Sequence, residues 1–273
     1  MSFTLHSGSA PLLLSIPHCG THIPAELQAR YVPRALDVED TDWHLPRLYA
    51  FAQSMGASVL APSTSRYVID LNRPPDDAPM YPGASNTELC PTRFFTGEPL
   101  YQGGTAPDIE ERMQRRALYW QPYHDALQAE LARIKALHGY ALLWDAHSIR
   151  SKIPWLFEGK LPDLNIGTAN GGAAHESITR AVVAACASGG SEKGAADYTR
   201  VVNGRFKGGY ITRRYGQPAQ QVHALQLEMC QCTYMEEHMP FTYNEAKASA
   251  VQPLLQTMLV AALQFAKTLY ERN

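Results

Sequence analysis

The sequence has 273 residues, of which 45% are hydrophobic, and its 24 basic and 26 acidic residues give a formal charge of −2. This composition excludes a disordered chain, and the absence of a basic excess argues against nucleic acid as a partner. The length suits one large α/β domain, or one domain with insertions, spanning residues 1–273.

The cysteines and the apolar segments indicate the compartment. The five cysteines are odd in number and form no C-x-x-C motif, which favours reduced thiols over disulfides or structural zinc. Residues 1–10 lack the basic segment of an export signal, and Val251–Ala266 is interrupted by polar residues, as a packed helix would be. We therefore expect a cytoplasmic protein with no membrane partner.

Strands are predicted where short apolar or alternating segments are bounded by proline, glycine or polar residues. They cover residues 11–17, 57–61, 66–73, 140–148, part of 164–172, 198–202 and 222–228. The segment Tyr140–Ser148 organises this set, because it is apolar up to Asp145 and therefore indicates a central strand buried on both faces.

Helices are predicted between these strands, at residues 39–55, 108–137, 175–187 and 243–271. Asp40 and Asp42 would lie in the first turn of the first helix, where a carboxylate favours the helix dipole, and Pro122 would break or kink the second. Residues 76–107 have no periodicity, which is typical of a loop that walls an active site. The alternation predicts a three-layer α/β sandwich around a mostly parallel or mixed sheet.

Polar side chains stand where several predicted strands end. His18 follows the first strand, and Asp145 and His147 end the central one. Because the carboxyl ends of strands in an α/β sheet converge on one crevice, we expect these side chains to lie close together. Two histidines and one carboxylate are the ligands of a mononuclear zinc site with an open position. The competing interpretation of His147 is a core histidine bonded to the backbone.

The third ligand is left open by the sequence. Asp42 is the first choice, because it follows the His18 turn closely in the chain. Asp40 and, less readily, His22 are alternatives. Proline and glycine around His18 predict a rigid turn, so His18 and His22 are not expected to act as a helical pair.

Glu228 ends another buried strand and is the candidate general base. Burial disfavours a charged carboxylate and raises its pKa toward the range that suits proton transfer. A salt bridge to a nearby arginine is the alternative role.

Arginines near strand ends predict binding of small carboxylates, since a guanidinium can bind a carboxylate through two hydrogen bonds. Arg73, between Asn72 and Pro74, is the best placed. In the glycine-rich segment 203–216, Arg213 or Arg214 could hold a second carboxylate, and Asn203, Gly208 and Gly209 could supply donors and close approach.

Other catalytic frameworks receive little support. The sequence has no G-x-S-x-G elbow, no Walker sequence and no G-x-G-x-x-G motif opening a helix. Cys19 lies beside His18, but adjacent residues seldom face each other, so a cysteine nucleophile is not favoured.

Five segments together resemble the N-formylglutamate amidohydrolases. They are Ser15–Gly20, Ser65–Pro74, Asp145–Ser148, Asn203–Thr212 and Gln226–Met229. The resemblance covers nearly the whole chain in order. It implies a zinc-carboxypeptidase-like (phosphorylase/hydrolase-like) fold and the metal-dependent hydrolysis of N-formyl-L-glutamate to L-glutamate and formate, a last step of histidine degradation. Asn72–Arg73 looks like the Asn-Arg pair that holds the substrate carboxylate in zinc carboxypeptidases.

One departure and two alternatives accompany this resemblance. Thr21 stands where zinc carboxypeptidases carry the acid of their His-x-x-Glu metal pair, so the resemblance does not identify the carboxylate ligand. Zinc, or another divalent metal, is the expected cofactor, and a small N-formyl amino acid with two carboxylates is the expected partner. The alternatives are a zinc deacylase or carboxypeptidase for another N-acyl amino acid, or a non-catalytic protein that binds dicarboxylates.

Overall fold

The computed structural model describes residues 2–80, 86–188 and 198–270. Within these ranges seven strands form one sheet: β1 (Phe3–His6), β2 (Leu12–Ser15), β3 (Ser58–Pro62), β4 (Ala141–Ile149), β5 (Leu164–Gly167), β6 (Arg200–Val202) and β7 (Val222–Cys230). Their order across the sheet is β1-β3-β2-β4-β7-β5-β6. The four central strands are parallel, whereas β1 is antiparallel to β3 and β5 is antiparallel to β7. The sheet is therefore mixed, with a parallel centre.

The helices pack on both faces of this sheet. They are α1 (Ala25–Gln28), α2 (Leu45–Leu48), α3 (Phe51–Ser54), α4 (Ile109–Arg115), α5 (Gln121–His138), α6 (Glu176–Ser188), α7 (Tyr210–Tyr215) and α8 (Glu245–Tyr270). Short 3₁₀ turns cover Pro33–Asp37, Pro218–Gln220 and Gln231–Thr233. Side chains of α5 and α7 form one core with the sheet, and side chains of α2, α3, α6 and α8 form the other. The predicted α/β architecture, with helices on both faces of the sheet, is confirmed.

The two central strands explain where polar groups collect. β4 and β7 pair in register from Ala141 opposite Val222 to Ile149 opposite Cys230. On the face toward α5, their amino halves present Leu143 and Ala224 to the core. Because side chains alternate along a strand, Asp145 and His147 of β4, with Gln226 and Glu228 of β7, continue that face at its carboxyl end. One face of the sheet thus changes from apolar to polar along its length.

The long helical segment before β4 is continuous where a break was predicted. A π-helical turn, Arg116–Trp120, joins α4 to α5, and Pro122 lies at the start of α5. Proline has no N–H to donate, so the wider turn before it accommodates the missing bond without ending the helix. Of the predicted break or kink at Pro122, the break is therefore wrong.

Two other predicted elements differ from the structure. Residues 66–73, predicted as a strand, form turns, and the carboxylate of Asp70 accepts the backbone N–H of Asn72 at 2.8 Å within them. The predicted helix 39–55 is two short helices that begin only at Leu45, because His44 has a left-handed backbone (φ 62). Asp40 and Asp42 therefore lie before the helices, outside any first turn.

Several elements were not predicted at all. These are β1, the first strand at the sheet edge, and α7 within the glycine-rich segment. The predicted wall 76–107 is irregular apart from isolated bridges, and its residues 81–85 lie outside the described ranges, as does residue 271 at the end of the last predicted helix.

The helix α8 is long and apolar enough to cross a membrane by length and composition alone. In the structure it packs against α6 and the sheet, with Val251, Leu255, Met258 and Leu259 among its buried residues. This is the packing of a core helix, as the sequence predicted.

Candidate metal centre and substrate cavity

Three segments that are distant in sequence carry the candidate ligands to one place. His18 lies in the turn after β2, Asp42 in the irregular segment before α2, and His147 near the end of β4. The N–H of Asp42 donates to the carbonyl of His18 at 3.0 Å, which joins the first two segments directly. Gly20 lets the His18 turn pass the backbone near Thr64, since a Cβ there would lie 2.3 Å from the Thr64 carbonyl oxygen.

The donor atoms of these three residues converge. His147 Nδ1 lies 3.2 Å from His18 Nδ1 and 3.1 Å from Asp42 Oδ2, and His18 Nδ1 lies 3.6 Å from the same oxygen. All three side chains are buried. Two imidazole nitrogens and one carboxylate oxygen therefore face a single point.

Each histidine is backed by a second carboxylate through its other ring nitrogen. His18 Nε2 lies 2.7 Å from Asp70 Oδ1, and His147 Nε2 lies 3.1 Å from Asp145 Oδ1. At His18 the carboxylate holds the proton on Nε2 and leaves Nδ1 free to bind a metal. At His147 the carboxylate lies near Nε2, and this nitrogen also faces the amide nitrogen of Asn72. Asp145 is fixed in turn by the hydroxyl of Thr212, which donates to its other oxygen at 2.9 Å.

The electrostatics favour positive charge among these groups. Although burial raises the pKa of Asp42, hydrogen bonds from His147 and His18 outweigh that cost and hold it below its usual value. Asp70 has its pKa lowered in the same way, by His18, Arg73 and Arg66 against the cost of burial. Burial lowers the pKa of His147, but Asp145 and Asp42 raise it well above 6.5. A bound metal cation would take the place of that proton.

The donor set fits a divalent metal ion. A tetrahedral zinc site with bonds of about 2.0–2.1 Å holds its ligand atoms about 3.3 Å apart, close to the three distances found here. Nitrogen and carboxylate donors suit zinc, and three protein ligands leave a further coordination position. The cavity beside the cluster borders His18 and His147.

The alternatives for the third ligand lie elsewhere. Asp40 accepts hydrogen bonds from Arg150 at 2.7 Å, from the hydroxyl of Tyr67 at 2.9 Å and from the backbone N–H of Phe95 at 2.8 Å. His22 is exposed and pairs through its backbone with Thr64. Of the three candidates, Asp42 is the one that the fold brings to the histidines.

Glu228 lies on the cavity wall beside the cluster. It is the direct neighbour of His147 across the parallel strands β4 and β7, so both side chains leave the sheet on one face. Burial, the largest effect, raises the pKa of Glu228 to about 8. Its Oε2 accepts a hydrogen bond from Gln226 at 3.3 Å. A buried carboxyl of this kind, beside a metal centre, is suited to proton transfer.

Asn72 and Arg73 also border this cavity. Asn72 is held from both sides, because its Oδ1 accepts from the Ile211 N–H at 2.8 Å and its Nδ2 lies 2.9 Å from His147 Nε2. Gly209 is required here, since a Cβ would meet the Asn72 amide at 2.3 Å. The guanidinium of Arg73 donates to neutral oxygens, namely both oxygens of Thr87 and the Asn72 carbonyl, so its charge can meet a carboxylate from the cavity.

The remaining predicted substrate residues lie outside the cavity. Both side-chain atoms of the Asn203 amide bond to Thr168, which joins β6 to β5. Arg213 is exposed and donates to the carbonyl of Gly208. Arg214 is exposed and lines a groove beside α5 on another part of the surface.

Three site residues were missed by the sequence analysis. Arg66 lines the cavity, stacks 4.5 Å above the ring of Phe95 and pairs with Asp70 at 2.8 Å. Arg205 also lines the cavity. Asp70 lies two residues before Asn72, and Arg205 lies within the basic segment 203–216, so both were within reach of a closer inspection of those segments. Arg66 lies in the same segment as Asp70, but its position on the cavity wall could not be predicted, because its contacts depend on the folding of the turns around it.

Known proteins with similar sequences belong to one family. The sequence model of a family described as N-formylglutamate amidohydrolase matches residues 10–235. A curated N-formylglutamate deformylase of Pseudomonas aeruginosa is 51% identical over 263 residues, which is 96% of each chain. The corresponding protein of Pseudomonas putida is 49% identical over 269 residues, or 98% of each chain.

Two solved structures share the fold. The crystal structure of an N-formylglutamate amidohydrolase from Ralstonia eutropha superposes with a TM-score of 0.78 at 24% identity, covering 98% of each chain. A gene product from Agrobacterium tumefaciens gives a TM-score of 0.73 at 18% identity over 97% of this chain and 96% of its own.

Proposed function

The chain belongs to the N-formylglutamate amidohydrolase family, and we propose that it hydrolyses N-formyl-L-glutamate to L-glutamate and formate. The proposed cofactor is a divalent metal ion, and zinc is the expected one. The observation that carries this proposal is the convergence of His18, Asp42 and His147 next to a cavity that also holds Glu228 and arginines. Relatives about half identical over nearly the full length are named as deformylases of this substrate.

The residues of the chain divide the work of the reaction. A metal ion bound by the three ligands would supply a Lewis acid that polarises the formyl carbonyl and makes water more acidic. Glu228, as a carboxylate, accepts a proton from the attacking water and returns it to the leaving amine nitrogen. Its burial keeps it basic enough for the first step and acidic enough for the second. The carbon–nitrogen bond then breaks, releasing formate and the amine of glutamate.

Substrate binding rests mainly on charge, because a formyl group provides very little surface for contacts with the protein. Arg73 is the proposed partner of the α-carboxylate, with Asn72 fixing the loop on which it lies. Arg205, which also lines the cavity, is the proposed partner of the side-chain carboxylate. This replaces Arg213 and Arg214 in the role that the sequence suggested, since neither faces the cavity. Arg66, beside the ligands, is placed to stabilise negative charge that develops on the formyl oxygen.

Three further features belong to the proposal. They are a zinc-carboxypeptidase-like relationship of the fold, a place in histidine degradation, and a cytoplasmic location. The parallel strand centre, with ligands at its carboxyl edge, is compatible with the first.

The first prediction tests the substrate. Wild-type enzyme loaded with zinc should favour N-formyl-L-glutamate over N-formyl-L-leucine and N-formylglycine by roughly 30-fold to several thousand-fold in kcat/KM, because a guanidinium left without its carboxylate costs about 2–5 kcal/mol. Arg73→Ala should weaken all three substrates, since each has an α-carboxylate. Arg205→Ala should weaken the glutamate derivative selectively.

Arg214→Ala is the matched variant, because Arg214 lies in the same basic segment but borders another groove. Selective loss of N-formylglutamate hydrolysis in Arg214→Ala, with none in Arg205→Ala, would restore the assignment made from sequence. Equal kcat/KM for the formyl derivatives of glutamate and leucine would reject recognition of two carboxylates. Tight binding of dicarboxylates without turnover would favour a binding protein.

A further inference from the structure

A second cluster of chemically active side chains lies at the end of β7, beyond the proposed base. Cys230 is the last residue of the strand and Cys232 lies in the 3₁₀ turn that follows; together they are called the thiol pair. Both sulfur atoms and a carboxylate oxygen of Asp163 lie within 4.8 Å of one another. Cys230 is fully buried and Cys232 is half-buried. The proposed reaction uses none of these groups.

The two thiols differ in character because their surroundings differ. The Cys230 thiol donates to the carbonyls of Pro162 at 3.3 Å and Leu161 at 3.5 Å. The closeness of the two sulfurs raises the pKa of Cys230 and, as the largest effect, lowers that of Cys232. Lys160 and Ser151 lower the pKa of Cys232 further, while burial and the carboxylate of Glu237 oppose them. The thiolate form is thus favoured on the more exposed sulfur and disfavoured on the buried one.

The other three cysteines of the chain lack this arrangement. Burial raises the pKa of Cys19 and of Cys90 to about 12, and that of Cys186 to about 11. Since the thiolate is the reactive form, Cys232 is the cysteine best suited to react with an oxidant.

Two sulfurs and a carboxylate could instead bind a metal ion. The ammonium of Lys160 lies 3.1 Å from Asp163 Oδ1, within the same cluster. The second oxygen of Asp163 accepts both the N–H and the hydroxyl of Thr199, at 3.0 and 2.7 Å. A fixed cation and an occupied carboxylate disfavour a metal cation, whereas the same ammonium favours a thiolate.

We propose that the thiol pair is a peroxide-sensitive site, in which Cys232 is oxidised and Cys230 resolves it to an intramolecular disulfide. The Cys232 thiolate attacks one oxygen of hydrogen peroxide, so that a sulfur–oxygen bond forms, the oxygen–oxygen bond breaks and, with one proton, water leaves. Cys230 then attacks the sulfenic sulfur, the sulfur–sulfur bond forms, and hydroxide leaves with the Cys230 proton as a second water. Two thiols lose two electrons, and one peroxide is reduced to two waters.

The fold connects this site to the cavity. The sulfur of Cys230 lies 3.3 Å from the carbonyl of Pro162 and 3.5 Å from that of Leu161. It packs in a small apolar cluster with Phe95 and Ile149, both of which also line the cavity. Drawing this sulfur toward Cys232 would move the end of β7, two residues after Glu228. Misplacement of a catalytic group by about 1 Å can cost on the order of 10²-fold in rate.

The test exposes the zinc-loaded full chain to hydrogen peroxide, with and without later addition of dithiothreitol. Peptide mapping should show a Cys230–Cys232 disulfide, and deformylase kcat/KM should fall by roughly 10- to 100-fold and return on reduction. Cys232→Ser should resist inactivation. Cys230→Ser should stop at a sulfenic acid that a dimedone probe captures at Cys232. Cys186→Ser, the matched control, should behave as wild type.

Three results would overturn the proposal. One is the absence of the Cys230–Cys232 disulfide from peroxide-treated wild-type protein. Peptide mapping detects this result even if a serine variant fails to fold, and it does not depend on the proposed substrate. Another is inactivation of Cys232→Ser at the wild-type rate, which would place the oxidation elsewhere. The third is an additional zinc equivalent in wild-type protein that Cys232→Ser lacks, which would make the cluster a metal site.

Discussion

Two pairs of buried histidines in this molecule have opposite surroundings. His18 and His147, at the carboxyl edge of the sheet, each contact carboxylates through both ring nitrogens. His124 and His223, in the body of the fold, contact neutral groups: His124 the Leu71 carbonyl and the hydroxyl of Tyr215, His223 the His175 N–H and the hydroxyl of Tyr270. Both pairs are equally inaccessible.

The partners, and not burial, separate the two kinds of histidine. Burial lowers the pKa of both His124 and His223 to about 4, so each is a neutral part of the core. The same cost at His147 is outweighed by Asp145 and Asp42, which prepare the site for positive charge. A buried histidine with carboxylates on both nitrogens is therefore a ligand candidate, and one with neutral partners is a structural residue.

The largest expected effect of this difference is on β7, which has His223 at its amino end and Glu228 at its carboxyl end. Glu228→Gln keeps the shape and hydrogen bonding of the side chain but cannot accept a proton. We expect kcat to fall by roughly 10²–10⁴-fold with metal content unchanged. His223→Gln, the matched substitution in the core, should keep the wild-type kcat and lower the stability. Steady-state kinetics and zinc analysis of both variants make the measurement.

Loss of zinc in Glu228→Gln would make Glu228 a ligand. An unchanged kcat would give the proton transfer to another group. A large fall of kcat in His223→Gln would show that the two ends of the strand are not independent.

The carboxylates behind the ligands give a smaller effect. Asp70→Asn removes the charge that holds the Nε2 proton of His18 but keeps a similar shape. Zinc affinity should fall about 10- to 100-fold, as is typical when such a partner is removed. Competition with a chelator of known affinity measures it, and Asp125→Asn, an exposed aspartate on α5, is the control. Equal zinc affinity in Asp70→Asn and wild type would contradict the role of Asp70.

Acid should destabilise the folded protein through His124 of the core pair. The folded pKa of His124, about 4, lies below its unfolded value of 6.5, so the unfolded state binds more protons between these values. The contribution of a neutral His124 is complete above about pH 6.5 and is lost as the pH falls toward 4, by an amount on the order of 1–3 kcal/mol.

Urea unfolding of the metal-free protein at a series of pH values tests this. His124→Gln cannot be protonated, so its stability should fall less steeply than that of wild type below pH 6.5. Parallel curves for the two proteins would mean that His124 does not titrate on unfolding.

The sheet and its edge were predictable because they depend on local patterns. The apolar run before Asp145 indicated the central strand. Because the carboxyl ends of such strands meet, the sequence alone predicted that His18 and His147 lie close together. The register of β4 with β7, which makes Glu228 the neighbour of His147, required the fold.

The errors concern segments whose shape depends on distant contacts. Residues 66–73 alternate as a strand does, yet Asp70 draws them into turns by binding both His18 and the Asn72 N–H. The arginines of segment 203–216 could not be sorted by sequence, because the direction of each depends on the unpredicted helix α7. Arg205, which precedes this helix, lines the cavity, whereas Arg213 and Arg214 lie within the helix and are not among the residues that line it.

Metal content is the most direct test of the central claim. Protein stripped by a chelator should be inactive and should bind one zinc ion per chain as activity toward N-formyl-L-glutamate returns in proportion. His147→Ala should lose both the zinc and the activity, because removal of one of three ligands opens the site. His223→Ala, which removes a histidine from the core, should bind zinc as wild type does. Full activity in the stripped protein, or undiminished zinc binding in His147→Ala, would contradict a metal centre formed by His18, Asp42 and His147.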